Sequence, residues 1–320
     1  MQKFLDIFES WGTKNRIAFN MSKCKAMVFN RPPRTIFGLF KMRNQHIKVV
    51  KEFKYLGITL STKRLTNLYT RHFAIVMEKA KRRLQCIRHL GFHADGLRIE
   101  TAIRMYKLLV RPLLEYGAQV LIYRNYYLPS ADGHTDSQFS TTDYTHKLEH
   151  FQTQALKRLL NCPKHISPSL VRLFAGVDSL ACRFDLLKLR FFWKLSHSPR
   201  ESVSKLVYKY VRHRFLGTNK GFLHEVFNLC CKYRNINIWH GVCPSSSRKL
   251  NPLTWIKNIV VKRNYSIDIT IARGKNCVYS YLFIRDTSPF KWVFEKYKFI
   301  FKRIGFFQNF DARKRFERQY

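Results

Sequence analysis

FKYLGITL, residues 53–60, decides how the chain is read. Phe53, Tyr55, Ile58 and Leu60 sit at the spacing of side chains that alternate between core and surface, and Gly57 suits a close backbone approach. With residues 47–50 this stretch predicts a strand pair. Upstream, residues 15–29 read NRIAFNMSKCKAMVF: two short strand-like runs, 17–20 and 25–29, flank a polar turn at Asn20-Met21-Ser22-Lys23. Earlier still, Phe4, Ile7, Phe8 and Trp11 fall at i, i+3, i+4 and i+7, which predicts a helix over 2–13 with one apolar face, stopped by Gly12. Residues 1–62 are therefore expected to be α+β.

From Tyr69 onward the period is helical. Phe73, Val76, Met77, Ala80, Leu84, Ile87 and Leu90 make one stripe, with Lys79, Arg82, Arg83 and Arg88 off it. Ile103, Tyr106, Leu109, Val110, Leu113, Tyr116 and Val120 make a second, bent at Pro112, which lacks the amide a straight helix would use. Residues 125–146 contain no Lys or Arg and are rich in Ser, Thr, Tyr and Asp, the composition of an exposed loop. Asp132, Asp136 and Asp143 within it are turn residues before they are metal ligands. Helical patterning resumes over 148–159 and again over 170–174 and 184–195. Three regions follow: 1–62, a helical 63–198 and a basic, aromatic 199–320 of unassigned role, with loops expected at 217–221 and 244–247. The last thirty residues interleave aromatic and basic side chains, a pairing that suits unpaired bases or, the preferred reading, a C-terminal element with its rings in a core.

Charge narrows the function. Fifty-nine Lys and Arg face 20 Asp and Glu, a net +39 on 320 residues. A phosphate backbone is the economical counterpart, because it relieves the self-repulsion and releases condensed counterions. A hydrophobic content of 46% and an aromatic content of 15% exclude a disordered basic tail. Eight dispersed cysteines, with no secretory segment, point to reduced intracellular thiols. The longest apolar tract, 108–123, is broken by Arg111, Pro112 and Glu115, so no membrane span is expected. Cys230, Cys231, His240 and Cys243 lie close in sequence, but an adjacent Cys pair departs from Cys-x-x-Cys, and free thiols are expected.

Trp11, Asn20, Lys23, Met27 with Phe29, Tyr55-Leu56-Gly57 and Tyr116-Gly117, in that order, resemble the region just downstream of the catalytic carboxylates in reverse transcriptases of non-LTR (LINE-like) retrotransposons. The likeness spans about residues 2–124, continues thinly through 148–160 and 176–195, and fades beyond. It implies a palm remnant over 1–62 with a primer-grip-like hairpin, then a thumb and connector. Lys23 would occupy the place of a palm lysine near the incoming nucleotide, and Tyr55, Leu56 and Gly57 the primer grip. Arg82, Arg83 and Arg88 would track the duplex backbone. Tyr116 and Gly117 would settle helix packing.

Polymerase chemistry needs divalent metals held by closely placed carboxylates. No two acidic residues are adjacent anywhere in the chain, and the resemblance places the family's Asp pair before residue 1. The expectation is a nucleic-acid-binding fragment of an RNA-directed DNA polymerase, inactive alone, with no catalytic residue or metal site of its own. Magnesium belongs to the full-length family enzyme. The partners implied are RNA, DNA or an RNA–DNA hybrid, together with a missing N-terminal polymerase part. The alternatives are an incomplete reading of an active reverse transcriptase gene and a basic RNA-binding or splicing accessory protein derived from one.

Overall fold

The computed structural model describes residues 2–29, 40–62, 69–89, 99–121, 144–160, 166–214, 221–243 and 251–274. The chain is mostly helical with a few short strands, in two compact units, Met1–Ile75 and Val76–Tyr320. The expected loops at 217–221 and 244–247, and the aromatic-basic C-terminal stretch, lie mainly or wholly outside the described residues.

In the first unit, α1 (Gln2–Lys14) precedes six short strands: β1 (Lys25–Ala26), β2 (Lys41–Met42), β3 (Gln45–His46), β4 (Lys48–Val49), β5 (Glu52–Tyr55) and β6 (Ile58–Ser61). Gly12 does not stop α1. It lies inside the helix because the Phe19 ring packs on it, and a Cβ there would come within 2.5 Å of that ring. The helix ends instead where Arg16 turns left-handed at φ 55° and the Arg16 and Ile17 amides donate back to the Thr13 and Gly12 carbonyls. The predicted apolar stripe exists, but Phe4, Ile7, Phe8 and Trp11 are all at least half exposed. Polar residues of α1 make its contacts with the following turn. Gln2 exchanges hydrogen bonds with the Lys41 backbone at 2.8 and 3.0 Å, and Glu9 accepts from the Arg43 amide at 3.0 Å.

Strand pairing differs from the sequence reading in two places. Residues 17–20 form no strand, and β1 pairs parallel with β4 in register Lys25↔Lys48. Residues 53–60 do not run as one strand against 47–50; they fold back as the antiparallel pair β5–β6.

In the second unit, residues 70–89 form the predicted helix α2 (Thr70–His89), within which the two units divide. Its stripe is inward, with Val76, Ala80, Leu84 and Ile87 buried. The next stripe is rotated relative to expectation. Between α3 (Ile99–Met105) and α4 (Arg111–Glu115) the chain makes a π-helical segment, Tyr106–Val110, in which the Arg111 amide donates to the Tyr106 carbonyl. A π turn adds one residue, so burial runs Tyr106, Val110, Leu114 and Ala118, leaving Leu109, Tyr116 and Val120 substantially exposed. Pro112 stands at the start of α4, where its missing amide costs no helical bond.

Then follow α5 (Tyr144–Leu159), α6 (Pro168–Ala175), α7 (Leu180–Ser196), α8 (Val203–Arg214), α9 (Phe222–Lys232), α10 (Asn237–His240) and α11 (Pro252–Gly274). Tyr144, Thr145 and His146 belong to the first turn of α5 rather than to the loop before it. At the middle stands α7, packed against α4, α5, α8, α9 and α11. Its Leu186, Leu189, Phe192 and Trp193 share one core with Leu223, Val226, Trp239, Trp255 and Ile256, so residues on both sides of position 198 contribute to it. Phe192 and Trp239 stack at 5.5 Å with planes 3° apart.

Scarce carboxylates pin this bundle. Arg172 of α6 joins Glu149 of α5, at 2.9 Å, to Asp268 of α11. Burial alone would lower its pKa, but Asp268 and Glu149 outweigh that and hold the guanidinium above its usual value. The Glu149 carboxyl is raised as well, by burial that Arg172 and the Leu180 and Ala181 amides only partly offset. The guanidinium keeps its charge at every working pH. Arg183 grips Glu115 with two bonds, at 2.8 and 3.0 Å. Lys188 pairs with Glu225, both side chains almost wholly buried, and donates to the Leu121 carbonyl at 2.7 Å.

Replacing Lys188 by Met leaves the Glu225 carboxylate without its ammonium partner and should cost about 3–5 kcal/mol, whereas Lys188→Met with Glu225→Leu should recover most of that. Urea midpoints measure both; a single variant within about 1 kcal/mol of the parent would contradict the pairing. Burial, with Cys231 beside it, pushes the Cys230 thiol up to about 12, and Cys182 is raised further by its burial. Iodoacetamide should therefore label exposed Cys86 and Cys231 in the native protein and reach Cys182 and Cys230 only after unfolding. Mass spectrometry of native and unfolded samples checks this, and native labelling of Cys230 would contradict it.

Candidate nucleic-acid interface

Lys23 lies in a turn built by Asn20. The Asn20 side chain accepts from the Ser22 amide at 3.0 Å and from its hydroxyl at 2.6 Å, while the Lys23 amide donates to the Asn20 carbonyl at 3.1 Å. The lysine side chain is thereby held on an exposed, ordered corner.

The hairpin is tighter than its sequence suggests. Tyr55 pairs with Ile58 across a two-residue turn in which Leu56 and Gly57 both have positive φ, 45° and 84°. That is the primed turn matching the twist of a strand pair, and Asn-Gly is its favoured sequence. Leucine at the first position is costly because its Cβ crowds the following carbonyl. Its side chain is 74% exposed, with Tyr55 beside it at 60%, so the strained turn projects an apolar tip into solvent.

On α2, Lys79, Lys81, Arg82 and Arg83 are all exposed. Arg82 pairs with Glu78 one turn earlier, in the open, where the bond is readily exchanged for a phosphate. Of Arg88 only the backbone, within α2, is described. Lys23 and the hairpin thus stand in the first unit and Arg82 and Arg83 in the second. Tyr116 is about half exposed, and buried Gly117, at φ 79°, ends α4.

Where the negative charge has gone matters as much. Glu115, Glu149, Asp185, Glu225 and Asp268 are each no more than 21% exposed and bound to cations of the bundle. They are withdrawn from any surface that meets a polyanion. Among the described residues no three His, Cys, Asp or Glu side chains converge on a metal position, and Cys230 is buried in the core.

One feature escaped the sequence reading. Between α2 and α5 opens a cleft of about 340 Å³, with Lys81 on one wall and Lys147, His150 and Arg158 on the other. The signal for it was the run of basic residues on the exposed side of 147–158, opposite the apolar positions that drew attention to the helix.

Comparison with curated proteins gives two matches, both to RNA-directed DNA polymerases from the mobile element jockey. The chain is 23% identical over 206 residues to that of Drosophila melanogaster, covering 64% of this chain and 20% of the relative. To that of Drosophila funebris it is 28% identical over 120 residues, covering 38% of this chain and 13% of the relative. The chain is related in sequence to LINE-like reverse transcriptases. It spans a fifth or less of the length of these relatives. No family model and no solved structure matches it. Among the described residues, no helix is long and apolar enough to cross a membrane.

Because asparagine tolerates positive φ better than leucine, Leu56→Asn should strengthen the hairpin by about 1 kcal/mol. Amide exchange at Tyr55 and Ile58 should slow roughly fivefold by local opening. Unchanged or faster exchange would mean that Leu56 is not strained in this turn.

Proposed function

We propose that this chain is a nucleic-acid-binding portion of a retrotransposon RNA-directed DNA polymerase that grips an RNA–DNA hybrid or structured RNA without polymerising on its own. The carrying observation is the distribution of charge: a net +39, with carboxylates of the second unit engaged inside the bundle and the cations of α2 facing outward. Phosphate contacts by such a surface are sequence-independent, positioning rather than reading the nucleic acid. The relatives' description as RNA-directed DNA polymerases supports the substrate class.

Within this reading, Arg82, Arg83 and Arg88 follow the backbone of the duplex. Tyr55, Leu56 and Gly57 place the apolar hairpin tip against the primer's sugar-phosphate end, and Lys23 neutralises phosphate nearby. Catalysis would need magnesium between carboxylates, and the chain has no adjacent acidic pair to hold it. The magnesium-dependent step therefore belongs to other parts of such a polymerase. No membrane enters this function, and the protein acts where its nucleic acid is, in nucleus or cytoplasm.

Titration of a labelled RNA–DNA hybrid should give an affinity that falls steeply with KCl, with a log–log slope of about −4 to −9 for roughly five to ten neutralised phosphates. Replacing Arg82, Arg83 and Arg88 together by Gln should weaken binding alike for all duplex sequences and reduce the slope by about three. A flat salt response, or a loss confined to one sequence, would contradict the proposal. Primer extension by the purified chain with magnesium or manganese would contradict its inactivity.

A further inference from the structure

The cleft between α2 and α5 combines depth with an apolar floor beneath a basic rim. Leu84 of α2 and Phe151 and Ala155 of α5 are buried at its base, and half-buried Met77 completes the floor. Gln85 and Gln154 add amides to the lining, one from each helix. The rim is cationic on both sides, and among the described residues no carboxylate lines it. All these residues belong to the second unit.

A duplex does not fit this chemistry. Its bases are stacked and paired, so an apolar floor below a cationic rim would remain empty while only the rim was used. An unpaired nucleotide uses every part: the base lies on Met77 and the edge of Phe151, the amides of Gln85 and Gln154 meet its hydrogen-bonding edge, and the rim takes the phosphates. Lys147 and Arg158 are eleven residues apart on one helix, about 16 Å along its axis, long enough to follow more than one phosphate. The Lys147 ammonium rests over the Tyr144 ring at 5.9 Å. The volume lies at the lower end of the range for ligand pockets, matching one nucleotide rather than a folded element.

We propose that the α2–α5 cleft is a binding site for an unpaired strand of RNA or DNA, with a base on the Met77–Phe151 floor and its phosphates on Lys147, His150 and Arg158. This rests on the nucleic-acid reading above and adds a strand-selective site to it. An acidic polypeptide shares the negative charge but has no planar group for the floor and no need of the two amides.

The experiment compares a single-stranded oligonucleotide with an RNA–DNA hybrid, by fluorescence anisotropy, on the full chain and on Lys147→Gln/Arg158→Gln. The variant should lose about tenfold in single-strand affinity and less than about twofold for the hybrid. In parallel, an oligonucleotide carrying 5-iodouridine should photo-cross-link to the peptides containing Met77 or Phe151, and polyglutamate should compete far less well than the unlabelled strand at equal charge. Circular dichroism and the urea midpoint confirm that the variant is folded; if it is not, the cross-link map on the unaltered chain decides alone. Equal losses for both nucleic acids, no loss for either, cross-links confined to other helices, or equal competition by polyglutamate would each overturn the cleft proposal while leaving general binding intact. Failure of the unaltered chain to bind any nucleic acid would overturn the functional reading and the cleft with it.

Discussion

Arg172 is held between Glu149 and Asp268, and that pairing across three helices shows the constraint under which the whole molecule is built. With about three basic residues for each acidic one, a packed interior must either exclude charge or spend scarce carboxylates to neutralise the cations it encloses. The bundle spends them. Glu115 binds Arg183, Glu225 binds Lys188 and Asp185 binds Lys232, so α7 is tied by ion pairs to α4 and α9 as well as by its apolar core. Such pairs are costly to desolvate and add little net stability, but losing one partner strands a buried charge, which makes the arrangement specific.

The surface follows from the interior. Carboxylates committed to the bundle cannot screen the outside, and on the exposed faces of α2 and α5 the cations Lys79, Lys81, Arg82, Arg83, Lys147 and Arg158 outnumber the exposed Glu78 that pairs with Arg82. Mutual repulsion among these cations favours opening of the second unit, and a bound polyanion opposes it. Binding and stability are therefore linked: the charge imbalance that weakens the free protein supplies the driving force for contact with phosphate. The first unit contributes differently, through an ordered lysine corner and a strained hairpin tip rather than through a field.

Much of this was legible in the sequence because it depends on local spacing. The Val76–Ala80–Leu84–Ile87 stripe and the helices over 148–159 and 184–195 are all set by neighbours within a few residues. What was illegible depended on distant partners or on a single added residue. The π segment at Tyr106–Val110 shifts burial to Leu114 and Ala118, and no periodicity anticipates it. Gly12 reads as a stop until Phe19, seven residues on, is seen to pack against it. Arg172 and Asp268 are 96 positions apart, and neither advertises the other. The cleft joins a face of α2 to a face of α5 across the stretch between them, so its parts were visible as basic residues while their convergence was not.

The central claim, that interior carboxylates leave a surface whose repulsion a phosphate polymer relieves, is tested most directly by the urea midpoint of the chain at low ionic strength with and without saturating RNA–DNA hybrid. The account predicts a clear rise in midpoint on adding the hybrid, shrinking steadily as KCl is increased and the same charges are screened by salt. A midpoint unmoved by the hybrid, or raised by an amount that salt does not change, would contradict it.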